Sequence, residues 1–350
     1  MKLEPMISHL RNSSLLKMSD LRLSKKSLKL FIAHSAINVT NTLLKHVKGF
    51  DYIKDDLLLQ HPEQQALPKG HKMKYYCLRA NTIEEASVQG NILVHDNVYH
   101  IQLKLDADSP IINTYAIPTI NDQLTNACIR GAQAMRAQDV SFWEQRQIFQ
   151  ISFGAFHLIM NLIWALLQCH CGTTNDLGSL SHFFLILEKT HLGGEHPDYH
   201  TLLSTLMQIL EGLLLNAWRT KCGFESLDEY AKLSPSPKDI LEKARVILNK
   251  YTSPECKQAL THPPKEKDAR SHINPGPELD TAHANIVLLT WDLLYVAELI
   301  DAISSGDFGR VKNILPDLAC LFHGARSNNY SNEVLHLIFN FKEVWTTGFA

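Results

Sequence analysis

The sequence predicts an α/β protein that is predominantly helical and carries a small β-sheet. Three observations lead there. Apolar residues make up 45% and charged residues 20% of 350 residues, the balance of a globular chain long enough to bury a core. Apolar side chains recur at helical spacing through the second half, as in Leu203, Leu206, Met207, Leu210 and Leu214. Extended runs are confined to about residues 75–153.

The first fifty residues are basic: Lys2, Arg11, Lys17, Arg22, Lys25, Lys26, Lys29, Lys45 and Lys48 face only Glu4 and Asp20. Leucines interleave with them, which fits a solvated helical face, while the charge asymmetry fits an end that meets DNA. Residues 1–60 are therefore read as a basic, partly helical segment, and 75–345 as the main domain. Between them, Gln60 to Lys74 reads as a linker. Ile92–Val94 and Val98–Leu105, joined by His95-Asp96-Asn97, predict a β-hairpin, because the second arm alternates polar and apolar residues. Another extended segment covers about Ile111 to Ile120, with Pro118 confining it to an edge or ending it.

Helices follow. Asp122–Ala137 fits one, and Ile148–Phe153 fits a strand leading into a buried helix over Ala155–Gln168. Ser236, Pro237 and Asp239 make a helix start of capping serine, first-turn proline and acid at the positive dipole end. Residues 254–280 read as a Pro-rich charged linker, after which Asp280 or Thr281 caps a helix to about Ile303. Two more helices are expected, Phe308–Phe322 and Ser331–Val344.

Seven scattered cysteines do not form a disulfide framework and point to an intracellular place, nuclear or cytoplasmic. The residues after Met1 lack the apolar core of a signal peptide. The most apolar stretch, Ile151–Leu167, is short for a membrane span and contains His157 and Asn161, so no membrane partner is expected. A net charge of −2 excludes a strongly basic nucleic-acid coat but not a local basic patch.

Nucleotide-binding glycine loops, a nucleophile-elbow serine and the His-Glu-x-x-His zinc motif are all missing. Eighteen histidines make metal binding worth testing. His196 and His200 have helical ligand spacing with His191 nearby, but Pro197 lies between them, and Glu195 and Asp198 offer ordinary hydrogen-bond partners. Cys169-His170-Cys171 offers two thiolates without a second pair at zinc-finger spacing.

Three acids sit where polynucleotide chemistry would want them. Asp122 follows an extended run and opens a helix; Asp307 lies in Ser305-Gly306-Asp307-Phe308-Gly309-Arg310, a tight turn into a helix; Glu333 lies on the first turn of the next helix. Each could hold a divalent ion such as Mg2+. Each could equally be a helix cap or part of a capping box.

Four segments carry a resemblance: NDQLTNACIRGAQAMR, GAFHLIMNLIWALL, GGEHPDYHTLLSTLMQILEGLLLNAWR and AISSGDFGRVKNILPDLACLFHGARSNNYSNEVLHLIFNFKEVW. Together they resemble the fungal domain-of-unknown-function family 6589 (DUF6589), found in transposon-rich genomes, over about Ile83 to Ala350. The resemblance implies an origin in a mobile element and, by fold analogy, a ribonuclease-H-like core. In such cores acids hold two divalent ions about 4 Å apart. Many relatives read Gly-Asp-Gln-Leu-Thr where this chain has Asn121 to Thr125, which keeps Asp122. They read Gly-Asp-Phe-His where it has Gly154, Ala155, Phe156 and His157, so an acid is replaced by a methyl group. Asp307 and Glu333 match family acids. Relatives also continue beyond the Phe349-Ala350 equivalent, and many have a longer region before that of Asn81, so a copy truncated at both ends is expected. The resemblance thus implies a transposon-derived, nuclease-like protein that is catalytically inactive, its catalytic candidates Asp122, Asp307 and Glu333 vestigial. The alternative is a non-enzymatic helical protein-interaction domain.

Overall fold

A computed structural model describes residues 2–21, 25–106, 109–252, 280–346 and 348. The expected linker at 254–280 lies, up to its last residue, outside the described residues. The architecture is predominantly helical α/β, and the sheet is one parallel pair of strands. The chain divides into two compact units: Met1–Arg22, Pro68–Leu158 and Leu315–Ala350 form one, Leu23–Leu67 and Ile159–Ile314 the other.

The first unit holds α1 (Glu4–Arg11) and α2 (Met18–Leu21) from the N-terminal end. The second unit takes up the next helix, α3 (Lys25–His46). Back in the first unit come α4 (Val88–Asp96), α5 (Pro110–Thr114), β1 (Ile117–Asn121), α6 (Gln123–Met135) and β2 (Phe149–Phe153). β1 and β2 pair in register from Ile117↔Phe149 to Asn121↔Phe153. With only two strands both are edges, so Pro118 is tolerated inside β1. Leu3, Met6 and Ile7 of the N-terminal end pack with Ile129, Trp143, Ile148 and Phe149 into one apolar cluster. Leu3 N donates to Thr114 O at 2.7 Å, which ties the chain start to the sheet side of this unit.

The hairpin expected at 92–105 is not formed. The segment is α4, continued as a π-helix over Asn97–Gln102. Ser87 starts it as N-cap, its side chain accepting from Gly90 N at 3.0 Å. Asn91, Ile92 and His95 are buried at helical spacing, and Gly131 of α6 has room for no Cβ, since one would lie 2.9 Å from Val88 Cγ2. Close packing of α4 on α6 thus overrides the local β-pattern of valines and isoleucines. The extended reading of 111–120 is also corrected over its first half, where Pro110 initiates the short α5.

The second unit is a helical assembly. After α7 (Ala155–His170), whose residues from Ile159 on belong to this unit, come α8 (Leu180–Ile186), α9 (Tyr199–Cys222), α10 (Leu227–Lys232), α11 (Pro237–Ile247) and α12 (Thr281–Ser304). α3 lies against α9, α11 and α12. Trp218 is fully buried there and donates from Nε1 to Val39 O at 3.1 Å, while Phe31 stacks on Tyr295 at 4.2 Å. Ser236 caps α11 and Asp280 caps α12 as the sequence suggests. α13 (Phe308–Gly324) and α14 (Asn328–Phe339) complete the chain, the latter ending in a π-helical turn. No described helix is long and apolar enough to cross a membrane.

Candidate functional site

Parallel pairing brings two strand–helix junctions of the first unit side by side. Asn121 and Phe153 are the last paired residues of β1 and β2. Each strand then turns into a helix, through Asp122 into α6 and through Gly154 into α7. Gly154 N donates to Asn121 O at 3.0 Å, so the hydrogen-bonded ladder reaches the turn itself. Asp122 closes its turn as N-cap, with Oδ1 accepting from Thr125 N at 2.8 Å. Ala155, exposed at the first position of α7, offers no polar atom to the neighbouring junction.

Glu333 belongs to the same unit. α14 begins three residues earlier than the sequence suggests, so Glu333 lies in its second turn and is not a cap. Its carboxylate is 3% exposed and faces α6. Arg130 grips both oxygens: Nη1 meets Oε2 at 3.1 Å and Nη2 meets Oε1. Asn126 donates from Nδ2 to Oε2 at 3.1 Å and accepts from Asn121 Nδ2 at 3.0 Å. A polar chain therefore runs from the end of β1 through α6 to α14. Burial, then the charges of Asp122 and Glu333, push the Tyr330 phenol up to about 12, so it stays neutral near both acids. The arginine fork means that the charge of the Glu333 carboxylate is already met by Arg130.

Asp307 belongs to the second unit and does something else. Its Oδ2 accepts from Gln64 N and its Oδ1 from Gln65 N, each at 2.8 Å. Burial pushes its pKa up, but the amides of Gln65, Gln64 and Arg310 outweigh that and hold it below the usual carboxylate value. The surrounding motif follows from this clasp. Gly306 takes a left-handed turn at φ 69°, and a Cβ on Gly309 would lie 2.6 Å from Gln64 Cβ and 2.7 Å from Gln65 N. The structure thus brings Asp122 and Glu333 into one unit and uses Asp307 in the other to hold residues 64–65 onto the turn before α13.

The histidines singled out in the sequence are spread out. Asp198 caps α9 through Thr201 N at 2.8 Å, the His196 ring packs on Trp164 at 4.8 Å, and His191 is exposed. His170 bonds Asp292 at 2.7 Å, and Cys171 contacts Ser181 at 3.3 Å. Among the described residues, the metal-capable group is a different one: His34, His61 and Glu298, whose ligand atoms lie within 4.8 Å of one another.

This second-unit cluster escapes sequence reasoning because its members sit on α3, on the irregular segment after residue 60 and on α12. The one visible signal is Glu298, an acid within the apolar run Leu293 to Ile300. Arg310, 1% exposed, meets both Glu298 oxygens at 2.8 Å and Asp301 at 2.6 Å. Asn38 donates to Glu298 Oε2 at 3.0 Å and accepts from His61 Nε2 at 3.1 Å. That fixes the tautomer: His61 carries its proton on Nε2 and shows a lone pair at Nδ1. His34 Nδ1, 3.0 Å away, donates to it, and His34 Nε2 is left buried without a partner. Such an orphan costs about 1–3 kcal/mol. Burial first, and the Arg310 charge second, push both imidazoles down to about 4, so both are neutral at pH 7.

Fold and sites define the class: a helical α/β protein with, among the described residues, one parallel strand pair, whose acids at the family motifs are held by its own donors. The chain belongs to a family of unknown function, DUF6589, which it matches over residues 10–350. The match takes in α2 and α3 as well as the motif-bearing region. No curated protein and no solved structure matches it.

Proposed function

We propose that this chain is a mobile-element-derived protein of nuclease-like ancestry that no longer catalyses and acts by binding nucleic acid. The observation that carries the reading is the pair of adjacent strand–helix junctions, one with Asp122 and the other with Ala155. A two-metal site needs acids from neighbouring elements, because two ions about 4 Å apart must be held together, one for the attacking oxygen and one for the leaving oxygen. Here the acid persists at one junction, a methyl group stands at the other, and Glu333 of the same unit is neutralised by Arg130. Two ligands are thus withdrawn by different means.

Binding would rest on exposed basic side chains: Lys2, Arg11 and Lys17 in the first unit, Lys25, Lys26, Lys29 and Lys48 in the second. Lys45 is already paired with Glu211. The place of action is then nuclear or cytoplasmic. A DNA titration at rising salt tests this. Binding should weaken with a log–log slope of about −0.9 per phosphate contact, and replacing Lys25, Lys26 and Lys29 together should flatten the slope by about three contacts. No binding at low salt removes the nucleic-acid reading. Mg2+-dependent cleavage by the unaltered chain, lost in Asp122→Asn, removes the inactive one. For the ancestry, Ala155→Asp with Arg130→Gln should gain Mn2+ affinity; no gain sinks it.

A second reading, a non-enzymatic helical interaction domain, is favoured by the hydrogen bonding of all three acids within their own units. It prevails if DNA binding is undetectable and the Asp122 variant changes stability alone.

A further inference from the structure

We infer that His34, His61 and Glu298 form a binding site for a divalent ion of borderline softness, with Zn2+ the best fit. Two imidazoles and one carboxylate are a donor set that zinc takes with a fourth position left to water. Their ligand atoms lie within 4.8 Å of one another, and the two facing ring nitrogens are 3.0 Å apart. Zn–N distances near 2.0–2.1 Å put neighbouring ligand atoms about 3.3 Å apart, so the rings already stand near ligand spacing and only the carboxylate must close in.

Three further features point to a cation rather than to a filled polar core. The first is orientation. Asn38 accepts the His61 Nε2 proton at 3.1 Å and so holds the Nδ1 lone pair toward His34, the outer hydrogen bond that metal-bound histidines use. Glu298 is held in turn by Arg310 and Asn38, yet its Oε1 takes only one of those bonds and keeps a lone pair free. The second is a mobile tautomer. His34 is 1% exposed and its Nε2 has no partner, so nothing there fixes which ring nitrogen carries the proton. A proton moving from Nδ1 to Nε2 would free a second lone pair toward His61. The third is charge. Asp301 and Asp307 act on both rings and Glu298 lies within ligand reach of them, three carboxylates around the one guanidinium of Arg310. A dication balances that deficit.

The site joins α3, the segment at residue 61 and α12, parts of the second unit far apart in sequence. Its ion would act as a clip there, and it is independent of the nucleic-acid reading.

The test uses the full chain, stripped with a chelator and titrated with CoCl2, then ZnSO4. One equivalent of Co2+ should give the visible absorption of a tetrahedral nitrogen–oxygen site, and Zn2+ should bleach it and raise the unfolding temperature. His61→Asn, a change in an irregular segment, should weaken Co2+ binding at least tenfold while far-UV circular dichroism stays unchanged. His196→Ala should bind as the unaltered chain does. No Co2+ absorption in the unaltered chain, undiminished binding in His61→Asn, or loss in His196→Ala overturns the assignment; the first of these needs no variant to fold.

Discussion

Arg130→Met isolates the charge on Glu333. The carboxylate is 3% exposed and the guanidinium 23%, so the substitution leaves a buried anion whose remaining donor is Asn126. Removing one partner of a fully buried pair costs about 3–5 kcal/mol. Arg130 is partly wet and Asn126 stays, so the lower end, about 3 kcal/mol, is expected. For a unit of this size that is roughly 6–12 °C in Tm. Adding Glu333→Gln keeps an oxygen for Asn126 and removes the charge, and should recover about 2 of those 3 kcal/mol. The assay is urea unfolding at pH 7 on the unaltered chain, the single variant and the double variant, with near-UV circular dichroism as readout. If Arg130→Met falls within 1 kcal/mol of the unaltered chain, or the added Gln recovers nothing, Glu333 is not an uncompensated buried charge and the account of the α6–α14 contact fails. Excess Mn2+ adds a further check: if Glu333 descends from a metal ligand, the ion should restore part of the stability of Arg130→Met and none to the unaltered chain.

Three other outcomes follow from single sites. Asp122→Ala should cost about 1 kcal/mol through the lost cap on Thr125 N, and Asp122→Ser should restore most of it in thermal melts; equal loss in both would mean the carboxylate does more than cap. His95 is held at about 4 instead of 6.5, by burial first and the Arg146 charge second, so the unfolded chain takes up its proton at higher pH than the folded one. Its contribution is whole above pH 6.5 and is lost as pH falls toward 4, about 3 kcal/mol, and His95→Leu should flatten the urea-midpoint profile across that window. Gly309→Ala forces a methyl group to within 2.6 Å of Gln64 Cβ and should cost about 1–3 kcal/mol, measured against a neutral Gly193→Ala, where a Cβ meets nothing within 4 Å.

What could be read from the sequence divides along physical lines. Ser236, Asp280 and Asp122 were legible as helix caps because capping is local: a side-chain oxygen meets an amide two or three residues on. The strand at 149–153 leading into α7 was legible because a short β-rich run ends at a glycine before a helical apolar run. The hairpin failed at 92–105 because Ile92, Val94 and Val98 favour strands in isolation, whereas the deciding contact is the close approach of α4 to Gly131, distant in sequence. The start of α14 was misplaced because Ser327 caps it without a side-chain hydrogen bond and so leaves little local signature. The histidine cluster was invisible for the same non-local reason: residues 34, 61 and 298 meet only once α3 and α12 have packed.

The family motifs can therefore be read twice. Gly-Asp-Phe-Gly-Arg looks like an acidic turn ready for a metal, yet each polar member has a partner inside the second unit. Gly306 supplies the left-handed turn, Asp307 receives two amides, Gly309 lets residues 64–65 approach, and Arg310 pairs with Glu298 and Asp301. Asn-Asp-Gln-Leu-Thr divides its labour in the first unit, where Asn121 starts the polar chain to Glu333 and Asp122 caps α6. The three motif acids have their oxygens turned toward backbone amides, an amide side chain or a guanidinium. An unpartnered nitrogen is found instead at His34, beside His61, and no acidic motif marks either. Side-chain oxygens spent on joining distant segments explain why these motifs can be required for folding alone. By the same count, cation chemistry in this chain moves from the acidic turns to the histidine pair.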